Sequence, residues 1–171
     1  GQVISDVAMI GMDMFSREGA AVGMLFEARS TALLSNDINN QRAAAKAARP
    51  DATLTTVKIG GRDVSLLHTP DNVVRSFYAV DGDYHLITSC EAMVRRFFEA
   101  GAGKRGLGGS AEFRHARHEL PTKRNDTIFA YLSDAFLQNL ASPHYRVEMA
   151  RRMRSSVEMD VLVLARLAAK A

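Results

Sequence analysis

Tryptophan is absent from this 171-residue sequence, and cysteine, proline and tyrosine are scarce, with one, four and four copies. The single cysteine, Cys90, excludes an intrachain disulfide and with it a small disulfide-stapled scaffold. No apolar run approaches the ~20 residues that cross a bilayer. The N-terminus carries no basic segment leading into a continuous apolar stretch, so no signal peptide is expected there. Gly1 reads as a residue left by tag removal, and the chain is expected to be a piece of a longer one. A dominant charge is missing too: Lys and Arg number 22, Asp and Glu 19, for a net charge of +3. What remains is an ordinary globular mixture, 47% hydrophobic and 24% charged. A chain of about 150 residues already buries roughly 70% of its unfolded surface. One domain spanning residues 1–171 is therefore expected.

Strand patterns dominate the first half. Val7 to Phe15 is a largely apolar run suited to a strand, Ser16 to Gly19 reads as a turn, and Ala20 to Glu27 returns as its partner. A helix fits Ser30 to Arg49, with Leu33, Leu34, Ile38, Ala45 and Ala48 as its apolar members, and Pro50 ends it. Two hairpins follow. Thr53–Ile59 and Arg62–His68 flank Gly60-Gly61, while Val73–Val80 and Asp83–Thr88 flank Asp81-Gly82. Both pairs tolerate the positive φ of tight two-residue turns. In the second hairpin Val74, Ser76, Tyr78 and Val80 share one face, opposite Val73, Arg75, Phe77 and Ala79.

Helical patterns dominate the second half. Thr88-Ser89-Cys90-Glu91 has the spacing of a capping box, so a helix is expected from there to about Ala100, with Met93, Val94, Phe97 and Phe98 as its stripe. Gly101 to Gly109 reads as a connector, and Ser110 to Leu120 as a helix stopped by Pro121. Thr127 to Leu132 resembles a last strand, a short helix passes through Phe136 and Leu140, and a long helix runs from about His144 to Ala169. The fold class is then α+β: an antiparallel sheet of six to seven strands, three hairpins plus one strand, packed against helices.

Several clusters invite a chemical reading. Gly101 to Ser110 is rich in glycine, but Arg105 stands where a phosphate loop needs Ser or Thr, and a helix precedes it rather than a strand. A mobile connector is expected there, with a backbone nest for an anion as the alternative. Glu112, His115 and Glu119 lie on successive turns of one helix, with His118 beside them, a spacing at which carboxylate and imidazole ligands converge on zinc or iron. Arg114 and Arg117 oppose a cation there, so a solvated polar face is the preferred reading and no cofactor is expected. Asp81, Asp83 and His85 cluster at a hairpin, where acid/base or metal chemistry competes with plain turn chemistry. Cys90 falls in a first helical turn, where the dipole lowers a thiol pKa, yet a small core residue is the simpler role. Ser110 lies in no nucleophile elbow, and Asn125-Asp126-Thr127 is a glycosylation sequon only in a eukaryotic secretory chain. No catalytic residue is assigned.

Charge is unevenly spread. Residues 1–90 carry 8 Lys/Arg against 10 Asp/Glu, and residues 91–154 carry 12 against 7. A nucleic-acid surface across the basic 95–154 region is one reading. Interleaved acids such as Glu91, Glu99, Glu112, Glu119 and Glu148, and no aromatic stacking platforms among the bases, favour a solvated helical face. Further along, Val161, Leu162, Val163, Leu164 and Leu167 spread around the whole helix. Exposing all of them is costly, so burial is expected, either in the sheet's own core or against a second chain. Arg146 to Arg154 should instead face water.

Ser76 to Ser89, Glu112-Phe113-Arg114 ahead of Leu120-Pro121, and Ile128 to Ser133 together resemble long bacterial envelope proteins of unknown activity. In these a hairpin leads into a helix, an "eFr" segment and a "yls" strand. The resemblance covers residues 53–140. It implies a piece of a larger exported chain, an extracytoplasmic location and no catalytic residues. The expectation is a non-catalytic structural or protein-binding module. The competing reading is an enzyme or metal-binding domain that combines the 112–119 face with Asp81, Asp83 or His85.

Overall fold

The computed structural model describes residues 3–12, 15, 20–104, 106–121 and 128–168, apart from the side chains of 138, 139 and 164. They fall into two compact units, Gly1–Ser133 and Asp134–Ala171. The first unit holds six strands: β1 (Ile4–Gly11), β2 (Val22–Ala28), β3 (Thr53–Ile59), β4 (Arg62–His68), β5 (Arg75–Asp81) and β6 (Tyr84–Thr88). Its helices are α1 (Thr31–Ala48), α2 (Glu91–Gly101) and α3 (Ala111–Glu119). The second unit holds α4 (Asp134–Asn139) and α5 (Pro143–Ala168).

The strands form one antiparallel sheet in the order β1-β2-β6-β5-β4-β3. The β3-to-β6 meander is local, but β6 then closes back onto β2. The chain must therefore cross the sheet between β2 and the far edge strand β3, and α1 makes that crossing. Its 18 residues span roughly 27 Å at 1.5 Å per residue, more than the roughly 19 Å across four strand spacings.

Alternation along β5 and β6 divides two cores. On one face Phe77, Ala79 and Leu86 meet Met93, Val94 and Phe98 of α2, with Cys90 at its start. On the other Tyr78 meets Leu34 and Ile38 of α1, joined by Phe26, Ala28 and Ile87. The face separation expected for this hairpin is the one observed. Gly23 permits the close approach of α2, since a Cβ there would lie 2.6 Å from Met93 Sδ. Along α1 the buried stripe is Leu34, Ile38 and Arg42. Leu33, Ala45 and Ala48, expected within it, are exposed.

Both tight hairpins are present. Gly60 and Gly61 lie at φ +60° and +80°, as a type I′ turn requires. In the second hairpin Asp81 pairs with Tyr84, so the loop is Gly82-Asp83, one residue later than expected. Gly82 takes the positive φ of +61° and Asp83 does not, the pattern of a type II′ turn. The turn expected at Ser16 to Gly19 lies outside the described residues.

Two other expectations are corrected. Thr88 does not cap α2: Cys90 occupies the cap position without a side-chain cap bond, and Thr88 remains the last residue of β6. The Thr88 hydroxyl instead accepts from the Cys90 N–H at 3.2 Å and donates to the Val22 carbonyl at 3.0 Å, which ties the strand end to β2. The strand expected at Thr127 to Leu132 is absent over its described residues 128–132. Their side chains pack on α3 instead: Tyr131 and Phe129 stand edge-on to Phe113 at 5.1 and 6.3 Å, and Arg117 lies 4.5 Å over Phe129.

A Cβ at Gly82 would meet nothing within 4 Å, so only its backbone conformation resists substitution. Gly82→Val should destabilise the fold by more than about 1 kcal/mol, because a β-branched residue opposes positive φ. Urea denaturation checks it; an unchanged midpoint would refute this account of the turn.

Candidate functional site

The structure separates the groups that the sequence suggests as a site. Glu112, His115, His118 and Glu119 all lie exposed on α3. Glu112 is engaged at its own helix start, where its backbone N–H and the Ser110 hydroxyl hold its carboxyl below the usual range. Ser110 accepts the Phe113 N–H at 3.0 Å and so caps α3. Among the described residues no three His, Cys, Asp or Glu side chains are grouped to hold a metal ion. Gly103, Gly106, Gly108, Gly109 and Ser110 line an open depression of about 540 Å³.

The Asp81, Asp83 and His85 cluster is divided by the pleat. Asp81 pairs with Tyr84 and shares the α2 face with Phe77 and Ala79; it bonds Arg62 at 2.6 Å. His85 pairs with Val80 and faces α1. Asp83 sits in the turn between them and accepts the Thr31 hydroxyl at 2.9 Å. Three residues within five positions therefore point three ways.

A different polar cluster lies beneath α1, at positions that sequence reading passed over. Arg42, 6% exposed, takes the place after Leu34 and Ile38 in the buried stripe. One terminal nitrogen donates to Ser76 Oγ at 2.9 Å; the other donates to the Ser76 and Ser65 carbonyls at 3.0 and 3.2 Å. Among the described residues no carboxylate balances the guanidinium and its Nε has no partner. Burial lowers its pKa, an effect that Tyr78 opposes. The Arg42 guanidinium carbon lies 5.9 Å over the Tyr78 ring.

Tyr78 links this guanidinium to His85. Its hydroxyl donates to Ser35 Oγ at 3.1 Å, and its oxygen lies 2.8 Å from His85 Nδ1. With the phenol proton given to Ser35, the network assigns the imidazole hydrogen to Nδ1 and leaves Nε2 a bare acceptor. That nitrogen is buried and unpartnered among the described residues, and His85 as a whole is 0% exposed. Burial lowers the His85 pKa, while the Asp83 carboxylate pulls it back up. Burial likewise raises the Tyr78 pKa, with Ser35 and Arg42 opposing. The one readable signal for this cluster is an arginine at i+4 and i+8 from two buried aliphatic residues.

Chemically the cluster is a neutral imidazole, a neutral phenol and one uncompensated cation, closed over by α1. It holds a helix to a sheet. Cys90 is equally enclosed, 2% exposed, with its sulfur 3.8 Å from Met12 Sδ. The basic residues of 95–154 are distributed over both units; Arg95 pairs with Glu91 and Arg151 with Glu148.

A buried guanidinium without a counter-ion contributes packing more than charge. Arg42→Ala should cost about 2–3 kcal/mol, and Arg42→Met, which keeps the stem, less than half as much. Equal losses in denaturant titrations would show that the charge itself is required.

No protein-family model matches the chain, and the searches found no matching curated protein or solved structure.

Proposed function

We propose that the chain is a non-catalytic structural or protein-binding module of a larger exported bacterial protein, with α5 as its binding element. One observation carries the reading. Val157, Val161, Leu162, Val163 and Leu167 are 58–69% exposed on a 26-residue helix. The sequence leaves two routes by which these side chains could be covered, the sheet's own core or a second chain, and this reading takes the second. Leu164, expected with them, has its side chain outside the described residues.

Contiguous exposed apolar surface marks an interaction site in a folded protein. No helix among the described residues is long and apolar enough to cross a membrane. Arg146, Arg151, Arg152 and Arg154 are exposed on the same helix. They favour a partner surface with acidic groups around an apolar centre. The resemblance of residues 53–140 to bacterial envelope proteins supports the exported setting.

A photo-crosslinking residue at Leu162, compared with one at Leu33, tests this in the native host. Both sites are exposed, at 69% and 59%. Leu162 should give a discrete protein adduct and Leu33 none. Adducts from neither site, or equally from both, would contradict the role of α5.

A further inference from the structure

We propose that His85 is a proton-operated latch on α1: protonation of its imidazole releases the helix from the sheet and uncovers the apolar face beneath. This stands on the first unit alone and is independent of the role given to α5.

The geometry leaves a proton nowhere to go. His85 Nδ1 is occupied by the Tyr78 hydroxyl at 2.8 Å, and Nε2 is buried with no acceptor among the described residues. The imidazolium needs two acceptors and would find one. The charged groups around it offer little compensation for burial. From α1 the buried charge is the Arg42 cation, 5.9 Å over the Tyr78 ring. From β5 the titratable neighbour is Tyr78, which burial keeps neutral. From β2 the residue paired with His85 is Phe26, and Glu27 lies on the opposite face, bonded to Tyr84. The β5–β6 turn supplies Asp83, the one opposing carboxylate, already bonded to Thr31.

The same contacts make α1 the part that yields. Only Leu34 and Ile38 among its aliphatic residues are buried; its other attachments run through Thr31, Ser35 and Arg42. Release would uncover Phe26, Tyr78 and Ile87, which share their sheet face with the already exposed Met9 and Met24. The result is a wider apolar surface at low pH.

The sign follows from linkage. Burial depresses the closed-state pKa of His85 below that of a solvated imidazole. The closed form is therefore fully favoured above about pH 6.5 and loses ground as pH falls through that value. Amide hydrogen exchange on the full chain at pH 7.5 and 5.5, corrected for intrinsic rates, reads the opening directly. Protection across Leu34 to Arg42 should fall by up to about tenfold, with Met93 to Phe98 of α2 unchanged. In His85→Gln the pH dependence of α1 should vanish. If that variant does not fold, the imidazole NMR titration of the unmodified chain decides instead. A midpoint below 6.5 that tracks loss of α1 protection supports the latch. A midpoint at or above 6.5 with α1 still protected overturns it, as does a pH-independent α1 or an equal loss in α1 and α2.

Discussion

The pairing of β2 with β6, Gly23–Glu27 against Tyr84–Thr88, is the contact on which the rest of the first unit depends. Without it the chain is a hairpin and a separate meander, each exposing a face it cannot cover. Closing that ladder obliges α1 to cross the sheet and places β6 at its centre. A central strand is covered on both faces. Leu86 is then buried against α2 and His85 against α1, one residue apart and both at 0% exposure. The uncommon burial of an imidazole is thus a consequence of topology.

The two faces are held by different physics. Under α2 the contacts are apolar and close enough that a Cβ at position 23 would displace the Met93 side chain. Under α1 two aliphatic residues are followed by a guanidinium, a serine pair and a tyrosine–histidine bond. Apolar packing is indifferent to pH. A polar seam with unsatisfied nitrogens is not, because low dielectric penalises every unpaired group within it. The asymmetry of the fold is therefore chemical as well as geometric.

Much of the fold is legible in the sequence where the signal is local. Gly60-Gly61 and the Asp81-to-Asp83 stretch announce hairpins through turn chemistry, and the α2 stripe follows from spacing. The long α5 and the antiparallel class follow likewise. Strand order does not, because the β2–β6 pairing joins segments some sixty residues apart with only alternation to guide them. Ile128 to Leu132 has the composition of a strand, but its aromatic side chains meet α3 instead. The polar cluster was hidden for a related reason: Ser65, Ser76 and Arg42 become neighbours only once α1 has crossed. On the 112–119 face the ligand spacing is legible too, and Glu112, His115, His118 and Glu119 all lie exposed, as the opposing Arg114 and Arg117 favour.

The central claim is that the exposed apolar residues of α5 are covered in the protein's working setting. Thiol protection tests it most directly, since the native Cys90 is buried and gives little background. With cysteine placed at Leu162, a polar maleimide should react rapidly with the purified chain and at least about tenfold more slowly in freshly opened cells of the native host. Equal rates in the two settings would contradict the account, for they would mean that nothing covers the helix where the protein works.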